Sequence, residues 1–167
     1  MTEFKPRIGN YGTLATGTLS GFFIQLGTEC KQDHAILYAG FRDGVESILE
    51  AKPSGGVQFS PLSNYAHLKI AWNMHDKFTD EEGLAIIAEG EKHLHDSYNW
   101  RADILNALRI LHLTSDKFLS EGMKKSAEDM CSQLVTICYQ AIGWKLSDKP
   151  VWLTTPADLF YRNAYIY

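Results

Sequence analysis

Nothing in the 167-residue chain approaches the run of about 18 uninterrupted apolar residues that a membrane-crossing helix needs. Its first residues, MTEFKPRIGNYGTLATG, lack a basic segment followed by an apolar stretch, which predicts no secretory signal. The chain is also poor in cysteine: Cys30, Cys131 and Cys138 are odd in number and irregularly spaced. They cannot all pair with one another, which is against a disulfide framework and predicts a reducing, cytoplasmic setting. Sixteen Lys and Arg stand against 20 Asp and Glu, for a net charge of −4, and the cations are scattered. That pattern lacks the footprint of a phosphate-backbone binder, so nucleic acid is not an expected partner. It also gives no long-range pull toward an anionic wall or leaflet. No HExxH or Cys-x-x-Cys spacing occurs, and His93 and His95, two apart on an expected helix, diverge in direction. Neither metal nor cofactor is expected.

What is present is an ordinary globular composition, 45% hydrophobic and 22% charged, long enough for one core and too short for two. No repeat, low-complexity run or linker divides it, so residues 1–167 are read as one domain. Short apolar runs broken by Gly, Pro and charge predict strands at 21–26, 34–39, 45–51 and 68–74, with a turn at 52–56. Alternation in the third strand puts Ile48 and Glu50 on one face and Leu49 and Ala51 on the other. Near Thr79 the pattern changes. A cap followed by Asp80, Glu81 and Glu82 predicts a helix over 80–96, with Leu84, Ile87, Ala88, Glu91 and Leu94 on its stripe. A second helix is expected over 101–111. A third, capped by Asp129, carries Leu134, Val135, Cys138, Ala141 and Ile142 and ends at Gly143. Strands followed by helices predict an α+β fold, an antiparallel sheet with helices packed against it.

Cys131 falls in the first turn of that third helix, where unsatisfied N–H groups and the dipole favour an anion and draw a thiol pKa toward neutrality. Glu128 and Asp129 oppose this, so a cationic imidazole in contact is needed to decide the balance. His34 ends a polar turn just before a strand, and Glu50 lies one strand further on between apolar neighbours, an unfavourable place for a carboxylate without a partner. A thiol, an imidazole and a third polar group are the minimum apparatus for nucleophilic attack on a carbonyl. The plainer alternatives are a buried apolar thiol at Cys131, a strand-capping His34 and a solvent-facing edge charge at Glu50. Cys138, seven residues on, reads as a core residue.

Several segments, taken in order, resemble the circularly permuted NlpC/P60 group of papain-like cysteine hydrolases, including the YiiX-like proteins. The segment DHAILYAG at 33–40 resembles its histidine, apolar strand and glycine, and ILEA at 48–51 its acidic strand. GVQFSPL at 56–62 follows as in the family, and Tyr98-Asn99-Trp100 resembles its Tyr-Asp/Asn element. Cys131-Ser132-Gln133-Leu134-Val135 resembles Cys-Ser-Glu-Leu-Val, and Thr155-Pro156-Ala157-Asp158-Leu159 resembles Thr-Pro-x-Asp-Leu. The resemblance spans roughly residues 14–160. It departs at Gly21-Phe22-Phe23, where a Gly-Asp pair is expected, and at Gln133, which replaces an acid.

The resemblance implies a papain-like hydrolase with Cys131 as nucleophile at a helix start, His34 as general base and then acid, and Glu50 orienting the imidazole. Backbone N–H groups at the helix start would form the oxyanion site, and Tyr98 would offer a pocket hydroxyl. The expected partner is a small peptide or a peptidoglycan-type stem, cleaved at an amide through an acyl-enzyme. Acyl transfer or thioester cleavage, with Trp100, Leu105, Leu108 and Leu111 lining an acyl pocket, is the first alternative. A catalytically idle binding module is the second.

Overall fold

The computed structural model describes residues 5–17, 30–52, 55–96 and 131–164. Among these, five strands form one sheet: β1 (Tyr11–Leu14), β2 (His34–Arg42), β3 (Val45–Lys52), β4 (Gly56–Pro61) and β5 (Ala71–Trp72). Their order is β4-β3-β2-β1-β5, every neighbouring pair antiparallel. Three helices follow, α1 (Asp80–Glu91), α2 (Cys131–Gln140) and α3 (Pro156–Ala164), with 3-10 turns at Leu62–Tyr65 and Val151–Leu153. The α+β reading and the antiparallel sheet hold.

β2 and β3 are joined by Asp43-Gly44, both at positive φ (50° and 78°), between the paired residues Arg42 and Val45. Two left-handed residues give the tight turn whose twist matches the strands it joins, and Asp-Gly is the pair that adopts it readily. The hairpin fixes register, and register sorts the side chains. Ala35, Leu37, Leu49 and Ala51 join Tyr11, Leu134, Val135 and Cys138 in the main core, beneath α2. Ile36 and Ile48 face the other way, with Leu14, and are covered by Leu62, Tyr65, Leu68, Ile70 and Trp72.

α1 opens with a reciprocal cap: Glu82 N–H donates to Thr79 Oγ1 (3.1 Å), and Thr79 N–H to the Glu82 carboxylate (2.7 Å). Its buried face is Gly83, Ile86, Ile87 and Gly90, whereas Leu84 is 57% exposed. The inward face is thus not centred on Leu84. A Cβ at Gly90 would stand 2.2 Å from Leu49 Cδ2, so glycine is what lets the helix backbone approach the sheet. The helix also ends at Glu91, not at 96. His95 N–H donates to Val57 O and Val57 N–H to Asp96 O, so the chain leaves helical geometry to bond the start of β4.

Thr155 caps α3 and Pro156 occupies its first turn. Thr155 N–H and Oγ1 both donate to Asp158 Oδ2 at 2.9 Å, and Asp158 N–H returns to Thr155 Oγ1 at 3.3 Å. Strand pairing within predicted residues 68–74 is confined to Ala71–Trp72. The expected strand at 21–26, the helix at 101–111 and the Asp129 cap lie outside the described residues. None of Cys30, Cys131 and Cys138 forms a disulfide.

Candidate functional site

His34 opens β2 and Glu50 lies near the end of β3. Leu37 pairs with Leu49 and Tyr38 with Ile48, and alternation puts His34 on the face of Ile36 and Glu50 and Lys52 on the face of Ile48, so the three share a face. His34 Nε2 lies 2.8 Å from Glu50 Oε2. The sequence-predicted partnership is therefore made, and the hairpin makes it.

Glu50 is fully buried, which by itself favours its neutral form. Its surroundings reverse that preference. The Tyr65 hydroxyl donates to Oε2 at 2.7 Å, beside the imidazole, and Lys52 Nζ stands 2.8 Å from Oε1. Burial raises the carboxyl pKa, but hydrogen bonds and charge from His34, with hydrogen bonds from Lys52 and Ser60, lower it further, to about 2. Tyr65 moves the other way: burial, then the hydrogen bond to Glu50 and the nearby charges, push its phenol well above the ordinary tyrosine range. It stays a donor.

His34 is buried too, and burial disfavours the imidazolium. Hydrogen bonding and charge from Cys131, and then from Glu50, outweigh that and raise its pKa to about 10. With Nε2 committed to Glu50, the other ring nitrogen is the one left to meet the Cys131 thiol. The described part of α2 begins at Cys131, whose side chain is buried. The turn that carries it is tied down, since Ser132 Oγ donates to Thr154 O (2.7 Å) and Gln133 Nε2 to Trp152 O (3.4 Å). Ahead of β2, Asp33 accepts from Thr16 N–H (2.7 Å), Thr16 Oγ1 (2.9 Å) and Gly17 N–H (3.2 Å), holding the end of β1 against the strand that starts with His34.

The three residues predicted from sequence are thus brought together in a chain running from sulfur to imidazole to carboxylate. Cys138 lies in the main core, as its spacing implied. Tyr98, Glu128 and Asp129, together with Trp100, Leu105, Leu108 and Leu111, lie outside the described residues. Two members of the cluster were not foreseen. Lys52 was legible, two residues beyond Glu50 on the same strand face. Tyr65 was not, because its position depends on how the chain turns back after β4. Its ring stands 6.0 Å from that of His34 and forms part of the wall of a groove of about 910 Å³, with Leu62, Leu68, Ile70, Trp72 and Met74.

Among the described residues no three His, Cys, Asp or Glu side chains converge so as to hold a metal ion. His93 Nδ1 is 3.0 Å from the Asp96 carboxylate, and His95 contributes its backbone to Val57. Among the described residues, no helix is long and apolar enough to cross a membrane.

No family model matches the sequence, and no curated protein matches it. Among solved structures, the fold is similar to that of the metalloprotein yiiX from Escherichia coli O157:H7, with a TM-score of 0.63 over 87% of this chain and 71% of that one. Identity between the two is 19%, so the likeness is one of fold: the chain has a YiiX-like α+β architecture.

Proposed function

We propose that the chain is a cysteine hydrolase of the permuted papain-like type, cleaving an amide bond in a small peptide or a peptidoglycan-type stem through an acyl-enzyme. The observation that carries this is the His34 imidazole, hydrogen-bonded to Glu50 and close enough to Cys131 for the sulfur to act on its titration. In the reactive state a Cys131 thiolate faces a His34 imidazolium. The thiolate and the Glu50 carboxylate then stand against the imidazolium and the Lys52 ammonium. Sγ attacks the carbonyl carbon and the C=O electron pair moves to oxygen, where backbone N–H groups of the first turn of α2 stabilise it. The tetrahedral intermediate collapses, the C–N bond breaks, and His34 delivers its proton to the leaving amine. A water molecule then attacks the acyl-enzyme, giving its proton to His34, and the thiolate leaves. Glu50 keeps the ring in one orientation throughout, and stabilises its charged form.

The resemblance of the motifs supports the substrate class, and the cysteine usage supports a cytoplasmic setting. The similar structure is described as that of a metalloprotein. The described residues do not fit a metal, since no three His, Cys, Asp or Glu side chains among them converge on one point; no step is routed through one.

Replacing the nucleophile is the test. Cys131→Ala should lower turnover by about 10³-fold or more, with thermal unfolding near that of the parent. Unchanged turnover of a cleaved substrate would end the proposal. A second outcome on the same thiol is transfer or thioester cleavage of an apolar acyl group. Intact mass separates the two: a peptidyl adduct on Cys131 supports amide cleavage, and a long-chain acyl adduct supports transfer. An iodoacetamide rate at Cys131 no faster than that of free cysteine would instead leave an idle binding module.

A further inference from the structure

Glu50 Oε2 has two partners, and only one belongs to the expected triad. Tyr65, the last residue of the 3-10 turn Leu62–Tyr65, reaches the sheet with its hydroxyl and donates to that oxygen at 2.7 Å, while His34 Nε2 meets it at 2.8 Å. Two contacts to one oxygen fix where the carboxylate lies relative to the ring. We propose, resting on the thiol chemistry above, that Tyr65 is a positioning residue that keeps the Glu50 carboxylate charged and oriented toward His34, and so sets the low-pH limit of Cys131 reactivity.

The charged and polar groups facing the carboxylate and its imidazole come from every element around them. They are Lys52 on β3, Ser60 on β4, Asp33 ahead of β2, Cys131 on α2 and Tyr65 itself. Lys52 serves the other oxygen, Oε1, so it cannot replace the phenol at Oε2. Without the hydroxyl, Oε2 keeps a buried lone pair without its second donor, and the carboxylate takes up a proton more readily. Once it does, the imidazolium loses its counterion and the thiolate with it. Reactivity then fails at a higher pH than in the parent.

The experiment is alkylation of the full chain with iodoacetamide, in which the thiolate sulfur forms the new S–C bond and iodide leaves. Peptide mass assigns the adduct to Cys131 rather than Cys30 or Cys138. Rates are followed from about pH 1.5 to about pH 8, so that the window reaches the low range in which Glu50 is held. In Tyr65→Phe the low-pH limb should move upward by about one pH unit, the effect of losing one hydrogen bond to a buried charge, with the plateau rate within about threefold of the parent. Tyr65→3,5-difluorotyrosine retains the ring and donates more strongly, so its limb should move downward; it also serves if the phenylalanine variant does not fold. A limb that stays in place in the folded variants, or a lower plateau with no movement of the limb, would overturn the inference while leaving the thiol chemistry standing. A parent Cys131 that reacts no faster than free cysteine, with no limb, would remove both.

Discussion

Two buried polar clusters among the described residues differ in where their hydrogen bonds end. In the first, Asp76 pairs with Arg162 at 2.8 Å and accepts from Asn73, which also bonds Tyr139; Tyr11 donates to Asn163. That network ties β1, the segment after β5, α2 and α3 into one frame. The second runs from Lys52 and Tyr65 through Glu50 and His34 to Cys131. Both contain a buried carboxylate, a cation and at least one tyrosine displaced upward, Tyr11 to about 12 in the first and Tyr65 in the second. Perturbed titration therefore does not by itself separate a site from a strut. What separates them is the terminus: the frame's bonds close on amides, carbonyls and a guanidinium, whereas the other chain leads to a sulfur.

If that contrast is right, removing one carboxylate should impair chemistry and removing one cation should impair folding. Glu50→Gln keeps shape and burial but leaves the imidazole without its anionic partner. Turnover should fall by about 10²- to 10⁴-fold, measured as kcat on the cleaved substrate. Arg162→Met, in contrast, strands Asp76, whose side chain is 4% exposed, and should lower unfolding free energy by about 3 kcal/mol in denaturant titration. Rapid alkylation at Cys131 should persist in that variant. A reversal, with Arg162→Met silencing the thiol in folded protein and Glu50→Gln harmless to turnover, would break the division.

The same contrast has a pH signature. Glu50, held at about 2 in the fold against an ordinary value near 4.5, contributes stability that is present above the ordinary value and lost as pH falls toward 2. His34, raised to about 10 from 6.5, contributes stability that is full below 6.5 and lost as pH rises toward 10. Melting temperature should therefore be highest between about pH 4.5 and 6.5 and decline on both sides. In Cys131→Ala the alkaline decline should be smaller and level off at lower pH, because the largest contribution raising the imidazole is gone. An alkaline limb identical in both proteins would show that His34 and Cys131 are not coupled.

How much of this was legible in the sequence depends on whether a contact is set locally or by the path of the chain. The meeting of His34 and Glu50, expected from the resemblance, has a local cause in period-two alternation and the tight Asp43-Gly44 turn that the structure shows between their strands. β1 and β4 were missed: the first is four residues long, and the second begins directly after the glycine turn. Tyr65 follows from the return of the chain after β4, for which no local pattern speaks. The α1 stripe was misplaced because apolar residues were counted as the inward face, while Gly83 and Gly90 hold it through backbone proximity. Thr-Pro-x-Asp, read as part of a resemblance, has a local cause of its own as the cap of α3.

That cap supplies the smallest expected effect and a separation between holding α2 and arming it. Thr155 closes the first turn of α3 with Asp158, and its neighbour Thr154 offers the carbonyl that accepts from Ser132, the residue after Cys131. Thr155→Ala should cost about 1 kcal/mol, the usual loss for a helix N-cap, read as a lowered midpoint in denaturant titration with an unchanged slope. The carbonyl of Thr154 belongs to the backbone and remains, and nothing in the His34, Glu50 and Tyr65 chain touches the cap. The low-pH limb of alkylation should therefore keep its position. A limb displaced by this substitution would mean that the seating of α2 on the 151–155 segment, and not only the carboxylate and phenol beneath His34, governs the sulfur.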